Sequence, residues 1–332
     1  MKIIPSLLAG ILVTGTFLNA APFDPAQVAK DTKWLAHVDL DGLKASKIGG
    51  FVIDRIKTEI AKKEQSRQSN ISIDVDGIIQ QIHSLTAYGN SFENNPQNHA
   101  VLLVQAGPKV QTIVEGFLAG QELSHDGKVP FKTVVGKSFP TYLFANEVYL
   151  TFPRRDLILI SKQFDQVEQA LSVIDGRIAP IERSDPLLAS ANSRGFFFIA
   201  SANGFDRLKE MPAQARLLQK ATGVQVALGE MGANLAARVT LLTANAEVST
   251  NMSKIVQGII AMASFVQVQD QNINRLAQSI TVDQSEHSVS VGLTFPSEDA
   301  IKLLTSLAAE KRTPHPAPPA PPAPPVAATP AP

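Results

Sequence analysis

Cysteine is absent from the 332 residues. That rules out disulfides, thiolate metal ligands, a cysteine nucleophile and a lipid-acylated cysteine, so stability must come from packed cores, which favours modules of about 100 residues or more over a mini-domain. Aromatic residues are sparse, with one tryptophan and three tyrosines. Neither charge predominates: 30 basic residues face 30 acidic ones. Polyanion binding needs a basic excess gathered on one face, so nucleic acid is excluded as an expected partner. Long apolar runs are missing as well. The longest helical candidate, Val248 to Val266, has an uninterrupted core too short to span a bilayer, which needs about 20 apolar residues. Its apolar positions 248, 252, 255, 259, 262 or 263, and 266 form a near-heptad stripe that predicts burial against a sheet, with a partner-binding or dimerising face, or lipid contact, as alternatives.

Motifs for chemistry are also missing. There is no G-x-S-x-G elbow, no S-x-x-K, no phosphate-cradling glycine loop and no dinucleotide fingerprint. The six histidines are scattered, without a paired ligand spacing. One local pattern invites a metal reading, His37-x-Asp39-x-Asp41-Gly42, whose side chains would share a face if the strand continued that far. A calcium loop fails here, because Ile48 stands where the bidentate glutamate belongs. Ser72-x-Asp74-x-Asp76-Gly77 fails in the same way, with His83 at the last position. Helix capping by Asp41, Asp76 and Asn203, each before glycine, is the simpler reading. The expectation is therefore no metal and no cofactor, with His37, Asp39 and Asp41 as weak metal candidates and no assignable catalytic residue.

What is present organises the chain. Lys2, an apolar stretch from Leu7 to Leu18 and small Ala20 and Ala21 read as a signal peptide over 1–20, cleaved near Ala21. Localisation is then bacterial export, periplasmic or secreted. A first α+β module covers 21–176. It opens on a strand, Trp34 to Asp39, with Trp34 expected in the core, and continues into a helix of roughly 20 residues weakened at Gly49-Gly50. A turn-rich connector fills 177–194. A second α+β module, 195–312, repeats the element order of the first: Trp34-to-Gly42 echoes Phe196-to-Gly204, and Leu157-to-Leu171 echoes Val291-to-Leu304. These echoes suggest a diverged internal duplication. The element order resembles the ferredoxin-like βαββαβ arrangement, which implies two modules, each an antiparallel-rich sheet with helices on one face. Such folds host many functions, so the resemblance concerns architecture alone. The segment 313–332 holds ten prolines in 20 residues; with no backbone donor on half its residues it forms neither helix nor sheet, and it reads as a disordered tail in polyproline II, a spacer or a docking peptide.

The functional expectation is an exported, non-catalytic protein that binds or organises an unknown protein or envelope component, with no transmembrane segment after signal removal. Two alternatives stand beside it: an envelope hydrolase with a site between the modules, and a carrier or sensor of a small or lipidic ligand in the inter-module cleft.

Overall fold

The computed structural model describes residues 23–66, 75–92, 95–124, 131–134, 139–189, 195–204, 219–265 and 271–310. The expected signal peptide, the helix after Asn203-Gly204 and the proline-rich tail lie outside these residues.

The first half runs β1 (Trp34–Asp39), α1 (Leu40–Ala45), α2 (Lys47–Ser66), α3 (Val75–Gln81), β2 (Ile82–Gly89) and β3 (Ala100–Ala106). It continues with α4 (Lys109–Ser124), β4 (Phe131–Thr133), β5 (Thr141–Phe144), β6 (Val148–Arg154), β7 (Leu157–Ser161) and α5 (Phe164–Ile174). The second half runs β8 (Phe196–Asn203), β9 (Gly223–Met231), β10 (Asn234–Leu242), α6 (Ala246–Phe265) and α7 (Gln271–Gln278). It ends with β11 (Ile280–Ser285), β12 (Ser288–Pro296) and α8 (Ser297–Glu310).

The expected helix after β1 is two helices. Ser46 ends α1, its hydroxyl donating to the Leu43 carbonyl and accepting from the Gly49 amide at the start of α2. A β-carbon at Gly49 would sit 1.7 Å from the Leu43 carbonyl oxygen, so only glycine permits the turn. The break is thus a capped corner and not a kink.

All twelve strands join one antiparallel sheet in the order β11-β12-β10-β9-β8-β1-β2-β3-β7-β6-β5-β4. This corrects the expectation of two sheets in two ferredoxin-like modules. Such a unit contains a parallel pair made by its crossover, whereas here every pairing is antiparallel and β1, β2 and β3 neighbour one another in chain order. The halves meet where β1 pairs with β8, Ala36 opposite Ala200. Outward from that seam the order is β1-β2-β3-β7-β6 on one side and β8-β9-β10-β12-β11 on the other.

Helices lie on both faces, not one. The apolar run Leu157-Ile-Leu-Ile explains this in the first half, because a strand without alternation buries both its sides. Leu157 and Leu159 pack under α5, against Val167, Ala170 and Val173. Ile158 and Ile160 turn to the opposite face and meet Val110 and Val114 of α4. In the second half α6 and α8 both lie on the α4 face. Met252 and Val256 cover Leu241 and Val289, and Ala300 covers Phe295. A bulge between Phe196 and Phe198 sends both Phe197 and Phe198 to that same face, where they meet Ile48 and Leu43 at the α1–α2 corner.

Candidate functional site

The weak metal candidates do not converge. His37 is buried on the α5 face of β1, its Nδ1 2.9 Å from the Thr86 hydroxyl and its ring edge-on to Phe23. Asp39 ends the strand and caps α1 by accepting from the Gly42 amide at 3.0 Å. The cap is therefore Asp39, two residues before the expected Asp41. Asp41 lies in the first turn of α1, where a carboxylate suits the helix dipole. It bonds Lys44 Nζ at 2.7 Å and His83 Nδ1 at 2.8 Å. Partial burial works to raise its pKa, but the Lys44 and His83 contacts outweigh it and hold the carboxyl below its usual value. No group of three metal-type side chains occurs among the described residues.

Two clefts are polar. One, of about 380 Å³, lies on the α5 face of the second half, between Ala189 and Phe196 on one side and Arg238, Thr240, Asp283 and Ser290 on the other. The other, of about 300 Å³, places Glu168 and Arg177 beside Phe139 and Phe164. Each holds a single acid and no histidine; in the first, Asp283 stands opposite Ser290, whose hydroxyl is 2.9 Å from that of Thr240.

The sheet's α4 face carries a different feature, visible only in register. Reading across the strands gives Leu150, Ile160, Leu102, Ala87, Ala36, Ala200, Val226, Val239, Val291 and Val282, each directly opposite the next. This row crosses ten strands without a polar side chain, and none of its members is fully buried. Its ends are claimed: Leu150, Ile160 and Leu102 pack with the α4 core, Val291 and Val282 with the α6 core. The five central residues, Ala87, Ala36, Ala200, Val226 and Val239, belong to no core cluster. They floor a trough four interstrand steps wide, about 20 Å.

On α6 the buried stripe is Met252, Val256 and Ile260, and Ile255, Ile259 and Met262 occupy the adjoining flank. The helix starts at the β11–β12 turn, where Ser249 Oγ donates to the Ser285 carbonyl, and packs along β11 and β12. Ile255, Ile259 and Met262 are 45%, 51% and 65% exposed, and Val239 on the floor is 38% exposed. On α4, Ile113 is 47% exposed. Of the near-heptad stripe, Val248 and Met252 pack in the core over the sheet while Ile255, Ile259 and Met262 are exposed; the side chains of 263 and 266 lie outside the described residues.

Trp34 stands two residues from Ala36 on the same side of β1. It is half-buried, not a core residue, and lies on Gly89, where a β-carbon would meet the indole at 2.7 Å. Its Nε1 donates to the Ser91 carbonyl at 3.1 Å. Sequence reasoning missed the trough because its floor is assembled from one residue on each of five strands. The only local signal was the alternation Trp34, Ala36, Val38 on a strand whose other side holds Leu35, His37 and Asp39.

No known family's sequence profile matches the chain, and no curated protein matches it in sequence. Among solved structures it is similar to TP0453. Crystal form I aligns at 11% identity and TM-score 0.46 over 86% of this chain and 98% of that one. Crystal form III aligns at 11% identity and TM-score 0.48 over 86% and 99%. Among the described residues no helix is long and apolar enough to cross a membrane.

Proposed function

We propose that this chain is an exported, non-catalytic binding protein of the bacterial envelope, which receives an apolar envelope component in the trough on its α4 face and not nucleic acid. The observation that supports this reading is the central row Ala87, Ala36, Ala200, Val226 and Val239, apolar, incompletely buried and bordered by exposed aliphatic flanks of α4 and α6. Solvent-exposed apolar side chains are ordinary when scattered; when contiguous and walled they mark binding surfaces. A polarity-sensitive dye, anilinonaphthalene sulfonate, tests the reading. Its fluorescence should rise with the native protein, and Val239→Asp should cut the response several-fold while leaving far-ultraviolet circular dichroism unchanged. An undiminished response in that variant would place the apolar surface elsewhere.

We further infer that the two halves descend from an internal duplication. The matched strand orders on either side of the β1–β8 seam support it, as do the echoes between Trp34-to-Gly42 and Phe196-to-Gly204.

A further inference from the structure

We propose that the polar cleft of about 380 Å³ on the α5 face of the second half is a separate binding site, which takes a short peptide as a zwitterion, its carboxylate on Arg238 and its ammonium on Asp283. That volume lies within the range of small-molecule sites. The strand register sets out what the cleft offers. Asp283, Ser290 and Thr240 stand directly opposite one another across β11, β12 and β10, and Arg238 lies two residues from Thr240 on the same side of β10. Gln225, opposite Thr240, is buried and donates to the Pro186 carbonyl at 2.7 Å. This bond ties the turn Pro186–Leu188 to the sheet and fixes Ala189 as a wall of the cleft. Phe196 adds an apolar side chain at the Arg238 end, since it pairs with Gly229, two residues from the Ala227 that pairs with Arg238.

Charge, spacing and the hydroxyl pair select the ligand. Among the described residues neither the Arg238 guanidinium nor the Asp283 carboxylate makes an ion pair or a hydrogen bond. A simple anion would satisfy Arg238 and be repelled by Asp283, and a simple cation the reverse. A molecule carrying one charge of each sign satisfies both. The two positions lie two interstrand steps apart across the sheet and two residues apart along it, about 12 Å between Cα atoms. A free amino acid holds its charges too close together to reach both. Two extended residues span about 7 Å, and a charge-assisted hydrogen bond of about 2.8 Å at each end brings the reach to about 12 Å. Thr240 and Ser290 lie between the charges with their hydroxyl oxygens 2.9 Å apart. One hydroxyl proton is spent within that pair, and the other is available to a peptide carbonyl. An alkyl chain with the same charged ends offers that proton no acceptor.

Isothermal titration calorimetry of the full-length protein with alanylphenylalanine, whose ring would meet Phe196, tests the proposal. N-acetylation or C-amidation of the dipeptide should each weaken binding at least tenfold. Asp283→Asn and Arg238→Gln should do the same, and because both positions are exposed the circular dichroism should not change. The losses should also coincide. Acetylation should cost less than twofold in Asp283→Asn, and amidation less than twofold in Arg238→Gln, because each pair of changes removes one and the same contact. The amide-free ε-aminocaproate should bind at least threefold more weakly than the dipeptide. Equal binding of ε-aminocaproate would overturn a peptide as the occupant, and equal binding of phenylalanine would overturn the two-point grip. Blocked ends without effect, or with effects that simply add to those of the variants, would overturn the roles given to Arg238 and Asp283. No binding of the dipeptide at millimolar concentration, by heat or by saturation-transfer NMR, would overturn the site.

Discussion

At the scale of single residues, Tyr88 carries the least expected arrangement. Its ring completes the core under α5, next to Leu35 and Val101, and is 3% exposed. Its hydroxyl has no hydrogen-bond partner among the described residues, although Asp31 is near enough to act on it electrostatically. Burial, with the Asp31 charge adding to it, pushes the phenol far above its ordinary pKa, so the group stays neutral under all folding conditions. A buried hydroxyl without a partner carries its desolvation cost uncompensated, about 1–3 kcal/mol. Tyr88→Phe is therefore expected to leave stability unchanged or to raise it by up to about 1 kcal/mol. Urea unfolding monitored by circular dichroism measures this; a loss of 2 kcal/mol or more would reveal a bond made by that hydroxyl. None of this was legible in the sequence. The alternation of β2 places Tyr88 on the core side, but the surroundings of a side-chain tip depend on residues distant in sequence, such as Asp31.

At the scale of elements, α1 is fastened to the start of β2 by a small charged network. Asp41 holds Lys44 and His83, and Lys44 Nζ also donates to the Ile82 carbonyl at 3.0 Å. Asp41 has a lowered pKa in the folded protein, so its contribution is present above the usual aspartate value of 3.8 and fades as pH falls through the folded value. Asp41→Asn should thus cost roughly 1 kcal/mol or less at neutral pH and nothing measurable near pH 2. Parallel denaturant titrations of wild type and variant across that range check the sign; a penalty that grows in acid contradicts it. Much at this scale was readable. The alternation of Trp34 to Asp39 marked β1, and the 3–4 spacing of Phe164, Val167, Leu171 and Ile174 marked α5. What failed were the phases. Capping fell on Asp39 because the helix starts at Leu40. The apolar side of α6 proved twice as wide as one contact stripe needs, and sequence periodicity does not say which half of such an arc meets the sheet.

For the whole molecule, the seam decides how the halves behave. Two expected modules would have unfolded independently, but β1 and β8 are central strands of one sheet, and each half alone would bare a strand edge of unpaired amides and carbonyls. Residues 21–189 expressed alone should therefore self-associate through β1, eluting as a dimer or larger in size-exclusion chromatography with light scattering. A folded monomer of that fragment would show that the seam is dispensable. The repeated element order was visible in the sequence, and so was the α+β class. That the repeats share a sheet was not, because two adjacent inner strands read the same as two separated ones: both are short, apolar and buried.

The trough's floor is also a piece of a screw. Neighbouring strands in a sheet rotate by about 20–25°, and four steps separate Ala87 from Val239, so the direction of the groove turns through roughly a quarter circle between its walls. A surface of that shape selects by stiffness. A chain with free rotation about every bond can follow the turn and keep contact along its length, while a fused-ring molecule of equal apolar area touches at one end and lifts away at the other. For the apolar component proposed as its ligand, polarity would decide admission to the groove and curvature retention.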